Sequence, residues 1–379
     1  MTTGPEALID RIVLIVSDLD QAEDDYVRTL GCSVEGRDDV EPALARVLRI
    51  PGAHGRRSRL RLGRERIELL EFTGWLGRSY PPDSTSTDLW FQHVAIVVTD
   101  MTDAHRQIMA DRRFRPISRR GPVQLPESSG GVTAFKFRDY DGHPLELLAL
   151  PEEGVSQEWP DADGPFAGLD HTAIAVTDTM RGTEFFSSVF GFSVGSCTEN
   201  RGPEQADLDA VDDVQVSVTR VAPDQPVPRL ELLHYHVGTR RPIPVDVASN
   251  DIAATHSVVQ VASLDATAEA LRRRGTPLGD NDPTILDGGI RAVRISGPDG
   301  HLFLVEERAA ATLSVPSRPF LNSAPSRCRV RFCGRTRCGV SMAKLRWLWP
   351  TFRGGVSRRA GRACAGDRVW PARTLSAIL

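Results

Sequence analysis

The sequence predicts an α+β protein assembled from four copies of a βαβββ unit. Three observations support this fold class. A segment reading strand, polar cap and helix occurs four times, a similar closing strand follows each copy, and the copies recur at a nearly constant spacing. The remaining residues, at the C-terminus, have a different composition and are predicted to be a disordered tail.

Each unit opens with a run of about seven apolar and β-branched residues, which is typical of a strand. The four opening segments are IDRIVLIVSDLDQAEDDYVRTLG from Ile9, FQHVAIVVTDMTDAHRQIMADRR from Phe91, LDHTAIAVTDTMRGTEFFSSVFG from Leu169 and ATHSVVQVASLDATAEALRRRG from Ala254. The residues predicted to start the helices are Ser17, Thr99, Thr177 and the Ala262–Ser263 pair. Three of the helices are predicted to end at Gly31, Gly191 and Gly275.

The closing strands read RIELLEF (66–72), HPLELLAL (143–150), RLELLHYH (229–236) and HLFLVEE (301–307). A unit of about 60 to 80 residues with one open sheet buries too little surface to fold alone. The units must therefore pair.

The spacing predicts how they pair. Arg11 and His171 are 160 residues apart, and His93 and His256 are 163 apart. A duplicated pair of units explains this repeat. We therefore expect a first domain at 7–152 containing units one and two, a linker at 153–167, a second domain at 168–308 containing units three and four, and the tail at 309–379.

Composition limits the class of partner. The chain has 379 residues and a net charge of −4, but the tail carries 13 Arg and one Lys against one acid, which leaves −17 on residues 1–308. An acidic body argues against nucleic-acid binding by the folded part. The sequence has no apolar run long enough to span a bilayer and no visible secretory signal, so a cytoplasmic protein with no membrane partner is expected. Oligomeric state is left open.

The tail also holds four of the six cysteines, Cys328, Cys333, Cys338 and Cys364. Their spacing is not a familiar zinc pattern and no histidine accompanies them. A tail without function is the favoured interpretation. A basic tail that contacts nucleic acid or a membrane surface is the alternative.

Four phrases, LDHTAIAVTD, FQHVAIVVTD, DYDGHPLELL and GPDGHLFLVEE, resemble the vicinal oxygen chelate superfamily, which includes glyoxalase I, extradiol dioxygenases and bleomycin-binding resistance proteins. The resemblance covers residues 9–308. It implies that paired units form a half-barrel around a divalent metal, with ligands from the first and last strand of each unit. The implied ion is Fe(II), Mn, Ni, Co or Zn.

Carried onto this sequence, the ligand positions of the first domain are Arg11, Glu68, His93 and Glu146, and those of the second are His171, Glu231, His256 and Leu304. Two histidines and one carboxylate suit such an ion, so we predict a metal site at His171, Glu231 and His256. Glu306 could supply the carboxylate that Leu304 lacks. Arg11 cannot bind a metal and is predicted to pair with Glu68 or Glu146, which makes the first domain a metal-free secondary site. The alternatives are ordinary strand histidines and a buried ion pair.

The resemblance implies a glyoxalase-like, metal-dependent lyase or isomerase acting on a small molecule with neighbouring oxygens, with Glu231 or Glu306 as the base. An extradiol-type dioxygenase is one alternative, although Leu304 replaces the final glutamate that such enzymes use. A metal-free binding or resistance protein is another.

Overall fold

A computed structural model describes residues 7–308 apart from 75–76, 152–157, 161, 163, 224–227, 239, 277 and 279–282. The predicted tail at 309–379 and its cysteines lie outside the described residues. The α+β fold class is confirmed.

Four units follow one another along the chain. Unit one contains β1 (Leu8–Ile15), α1 (Leu19–Leu30), β2 (Ser33–Asp39), α2 (Pro42–Val47), β3 (His54–Leu62) and β4 (Glu65–Thr73). Unit two contains β5 (Gln92–Val98), α3 (Met101–Ala110), β6 (Arg115–Pro116), β7 (Val123–Gln124), β8 (Thr133–Arg138) and β9 (Pro144–Ala149). Unit three contains β10 (Phe166–Ala175), α4 (Thr179–Phe190), β11 (Ser193–Arg201), α5 (Pro203–Asp209), β12 (Gln215–Ala222) and β13 (Arg229–Tyr235). Unit four contains β14 (His256–Val261), α6 (Leu264–Arg273), β15 (Thr284–Ile285), β16 (Arg291–Ser296) and β17 (Leu302–Glu307).

The helix caps lie one residue later than predicted in the first three units. Asp18, Asp100 and Asp178 accept the backbone N–H three residues on, as Ser263 does in unit four. The hydroxyl of Ser17, which was predicted to start the first helix, donates to Asp141 instead. An ionised aspartate at the cap also interacts favourably with the positive end of the helix dipole.

The units pair differently from the prediction. In the first sheet the strand order is β15-β16-β17-β14-β1-β4-β3-β2, so units one and four are joined through β1 and β14. In the second sheet the order is β11-β12-β13-β10-β5-β9-β8-β6, with β7 paired to β8, so units two and three are joined through β5 and β10. The domains expected at 7–152 and 168–308 are corrected accordingly. The repeat spacing identifies which units are alike, but it does not determine which first strands share hydrogen bonds.

One large core connects all four units. It includes alternate residues of the first strands, such as Ile12, Val94, Ile174 and Val259, packed with apolar residues of the long helices such as Phe186. Residues that alternate with these point to the other face of each sheet. Each sheet thus has one face in a common core and a second face that can form a site.

The second faces of the two sheets differ. In the first sheet, Val13, Val258 and Leu304 pack in a separate apolar cluster with Leu44 and Val47 of α2. In the second sheet, this face lines a cavity of about 200 Å³. The first sheet also has a cavity, of about 420 Å³, which is lined by Arg11, Glu68 and Glu306.

Candidate metal centre

Four side chains of the second sheet converge: His93 on β5, Glu146 on β9, His171 on β10 and Glu231 on β13. The strand register places them on one face. His93 is aligned with Ala173 and that alanine with Glu231, whereas His171 is aligned with Ala95 and that alanine with Glu146. Each histidine is thus separated from one carboxylate by an alanine on the strand between them. The small alanine side chain leaves room for the histidine and carboxylate side chains to come into contact.

The four possible ligand atoms lie close together. Nε2 of His93 is 3.3 Å from Nε2 of His171 and 3.1 Å from Oε2 of Glu146. Nε2 of His171 is 3.7 Å from Oε2 of Glu146 and 3.5 Å from Oε2 of Glu231. Ligands bound at roughly 2.1 Å around one ion are separated by roughly 3.0 to 3.4 Å in octahedral or tetrahedral geometry. The ligand atoms of His93, Glu146 and His171 therefore have a spacing that fits one divalent ion, and Glu231 lies beside them.

The pKa values of the two histidines are shifted in opposite directions. Burial lowers the pKa of His93 to about 4, despite the opposing effect of Glu146, so its imidazole is neutral near pH 7. Burial alone would raise the pKa of Glu146, but His93 and Lys136 outweigh it and lower that pKa to about 2. Burial likewise disfavours charge on His171, but Glu231 and Asp170 outweigh it and raise its pKa to about 9. The carboxylates thus favour a positive charge at their centre.

A second layer orients His171. Its Nδ1 lies 2.8 Å from Oδ2 of Asp170, and Arg229 contacts the other oxygen of that carboxylate. A carboxylate behind a metal-binding histidine fixes the ring and directs Nε2 toward the ion. In the sequence, Asp170 is the aspartate of the Asp-His pair in LDHTAIAVTD, and it was not among the predicted site residues.

Two comparisons show which known proteins this chain is similar to. Residues 168–305 match the family model described as the Glyoxalase/Bleomycin resistance protein/Dioxygenase superfamily. Glyoxalase I from Zea mays aligns over 80% of this chain and 93% of its own, with 18% identity and a TM-score of 0.55, and a variant of it aligns over the same shares with 18% identity and a TM-score of 0.56. A putative dioxygenase from Bacillus subtilis aligns over 81% of this chain and 86% of its own, with 13% identity and a TM-score of 0.49.

Residues 168–305 belong to this superfamily. No curated protein matches the chain. The family model covers units three and four, whereas the converging side chains come from units two and three. No helix among the described residues is long and apolar enough to cross a bilayer.

The metal site predicted at His171, Glu231 and His256 needs correction. His256 lies on β14 in the first sheet, where its Nε2 is 2.9 Å from the carbonyl oxygen of Ser249. His93 and Glu146, which were assigned to the secondary site, lie beside His171 instead. The reason is the pairing of the units. The ligand positions from unit two lie beside those from unit three, and the positions from unit four lie beside those from unit one.

The secondary set, predicted at Arg11, Glu68, His93 and Glu146, is divided in the same way. Arg11 binds Glu68 through Nε at 2.7 Å and Glu306 through Nη2 at 2.8 Å, and it also contacts Asp10 at 2.9 Å. Burial disfavours the charged Arg11, but Glu68 and Glu306 outweigh it and hold its pKa well above the ordinary value. The predicted pairing with Glu68 is present and that with Glu146 is not.

Glu306 is therefore not beside His171, and its assignment as a base for that site is corrected. It lies on β17 in the first sheet and is engaged by Arg11. His143 and His301 precede the closing strands: His143 contacts Asp139, and His301 contacts the carbonyl of Leu89.

The cavity of the second sheet extends from the four ligands along a partly apolar wall. Its lining includes Lys136, Arg220 and Tyr235, and it also includes Gln205 of α5 and Asn200 of β11. Lys136 is aligned with Glu146 on the neighbouring strand, and Arg220 with Glu231. Each carboxylate thus has a cation directly across the ladder, a relationship that the sequence analysis did not identify.

Proposed function

We propose that this protein is a divalent-metal-dependent lyase or isomerase of the glyoxalase type, acting on a small substrate with two neighbouring oxygens. The observation that supports it is the convergence of His93, Glu146 and His171 at ion-binding distances in a cavity that Glu231 also lines. His93, Glu146 and His171 would hold the ion, and Glu231 would lie beside it. A bound ion supplies a Lewis acid with open positions for the two substrate oxygens.

Glu231 is the candidate base. Its side chain is 15% exposed, whereas those of Glu146 and His93 are almost fully enclosed. Oε1 of Glu231 lies 3.9 Å from Nε of Arg220. This carboxylate therefore has a cationic side chain beside it at the cavity, in addition to the proposed metal ion. We propose that Glu231 takes a proton from the hydroxyl-bearing carbon beside the substrate carbonyl and returns it to the carbonyl carbon. The hydroxyl proton moves to the former carbonyl oxygen, so the product is an isomer and there is no net oxidation.

Metal content tests the centre. The protein is loaded separately with Fe(II), Mn, Ni and Zn, and the retained metal is measured after desalting. We expect about one ion per chain for the wild type and a loss of at least about tenfold in affinity for His93→Ala and His171→Ala. His256→Ala is the matched control, because it removes a buried strand histidine of the first sheet, and it should keep its metal. Equal retention by all variants would overturn the proposal.

Proton abstraction tests the reaction. Hydroxyacetone presents a hydroxyl next to a carbonyl, so NMR in D₂O can follow deuterium exchange at the carbon that bears the hydroxyl. We expect metal-dependent exchange that is lost in Glu231→Gln and kept in Glu306→Gln. Oxygen consumption with catechols, in place of exchange, would favour the dioxygenase alternative. Tight binding of small molecules without metal would favour a binding protein.

A further inference from the structure

The cavity wall formed by α5 carries a buried hydrogen-bond acceptor that no described residue satisfies. Gln205 is 3% exposed, and its Nε2 donates to Oδ2 of Asp209 at 2.7 Å. Its Oε1 is buried and has no partner among the described residues. Buried acceptors without partners are rare in folded proteins, so this one needs an explanation.

The amide of Gln205 is held in this orientation. Oδ1 of Asp209 accepts from Nζ of Lys136 at 2.6 Å, and Oδ2 accepts from the hydroxyl of Tyr235 at 3.2 Å. A carboxylate surrounded by three donors accepts hydrogen bonds and does not donate them. Rotation of the Gln205 amide would place two acceptors against each other. The carbonyl oxygen of the Gln205 side chain is therefore the atom without a hydrogen-bond partner among the described residues.

Asn200 gives a second observation of the same kind. It lines the same cavity, is 8% exposed, and its Oδ1 is buried without a partner in the part of the chain that the structure describes. Two polar side chains of unit three thus line the cavity and have amide oxygens without a partner among the described residues.

The wall is fixed in place by contacts across the unit boundary. Oγ of Ser118 donates to the carbonyl of Leu208 at 3.1 Å, and the backbone N–H of Arg119 donates to the carbonyl of Asp207 at 2.9 Å. Together with the pair between Lys136 and Asp209, these bonds tie α5 to unit two. An acceptor on a rigid wall can discriminate between ligands, because it does not move to find another partner.

We propose that Gln205 is a specificity-determining residue whose carbonyl accepts a hydrogen bond from a hydroxyl or N–H on the non-reacting part of the substrate. This inference rests on the proposed function, since the metal centre anchors the reacting oxygens. It narrows the substrate class to small molecules with neighbouring oxygens at one end and a hydrogen-bond donor at the other. A substrate with a purely apolar tail would leave Gln205 unsatisfied.

Hydroxamic acids test this, because they chelate a metal through two neighbouring oxygens. The probes are ω-hydroxyalkanohydroxamic acids with two to four methylene groups, each compared with its O-methyl ether, which cannot donate. Calorimetry on the Ni-loaded protein should give a tighter Kd for one hydroxyl probe by about 3- to 10-fold over its ether. Gln205→Met should remove this preference. Gln107→Met is the matched control, because it makes the same replacement at a helical glutamine outside the cavity, and it should retain the preference.

The outcomes separate the two proposals. Equal binding of every hydroxyl probe and its ether would overturn the role of Gln205 and leave the metal centre standing. A preference that persists in Gln205→Met would also overturn it. Binding of no probe to the loaded protein would overturn the proposed function, and this inference with it.

Discussion

Arg11 and Glu306 form a two-pronged ion pair, with Nη2 2.8 Å from Oε1 and Nη1 3.1 Å from Oε2. In the repeat, Arg11 occupies the position that His171 has in the other sheet. Its guanidinium also contacts Glu68, the counterpart of Glu231. A permanent cation within the chain thus takes the place of a bound ion in the first sheet, where Arg11, Glu68 and Glu306 line a cavity of about 420 Å³.

Removal of this cation should destabilise the fold. Arg11→Met leaves Glu68, Glu306 and Asp10 buried without their shared partner, and we expect a loss of about 3–5 kcal/mol in the free energy of unfolding, measured by urea denaturation. Arg66→Met is the control, because Arg66 also binds Asp10 but is 44% exposed, and it should cost about 0–1 kcal/mol. The double variant Arg11→Met with Glu306→Leu should recover part of the loss. Similar small losses for both single variants would contradict this account.

Asp170 should strengthen metal binding without touching the ion. Asp170→Asn keeps an acceptor for Nδ1 of His171 but removes the negative charge, so we expect affinity to fall about 10- to 100-fold in competition with a chelator. Asp10→Asn is the matched control, because Asp10 precedes Arg11 as Asp170 precedes His171. The control should leave metal affinity unchanged. Equal losses for the two variants would point to a general effect on folding.

The sequence predicted the four units, but it assigned His93 and Glu146 to a metal-free secondary site and His256 to the metal site. The candidate ligand positions were implied by the resemblance to the superfamily, and strand alternation is consistent with their lying on one face of the sheet. The pairing depends on which first strands share a ladder, and β1, β5, β10 and β14 are all apolar strands with similar edges. His256 was assigned to the wrong site because the sequence analysis paired unit four with unit three instead of unit one. Gln205 and Asp209 could not be identified from sequence, because their roles depend on contacts between units.

The buried pair between Lys136 and Asp209 should hold α5 against unit two. Asp209→Ala leaves the ammonium of Lys136 buried without its partner and releases Gln205, so we expect a loss of about 3–5 kcal/mol in unfolding free energy. Amide hydrogen exchange across Pro203–Asp209 should become faster. Asp212→Ala is the control, since that side chain is 83% exposed in its pair with Arg119 and should change stability by less than about 1 kcal/mol. Unchanged exchange in Asp209→Ala would show that other contacts hold the helix.

His143 should make stability depend on pH. Burial lowers the pKa of His143, but Asp139, at 2.8 Å from Nδ1, and the nearby Asp141 outweigh it and raise that pKa above its ordinary value. The other groups that face this pair are the ring of Tyr80 and the hydroxyl of Tyr26, which donates to Asp139. The folded protein therefore binds a proton here at pH values where the unfolded chain, with a pKa of about 6.5, has lost it.

The sign of the effect follows from this proton. The stabilisation is complete below about pH 6.5 and is lost as pH rises through the raised pKa of the folded state, by up to about 1.4 kcal/mol for each unit of pKa difference. We expect the difference in unfolding free energy between wild type and His143→Gln to be largest near pH 6 and to shrink toward pH 9, in urea titrations at fixed ionic strength. Other groups titrate in both proteins, and the difference removes their contribution. A difference that stays constant over this range would mean that His143 is neutral in the folded protein and that Asp139 holds it by a neutral hydrogen bond.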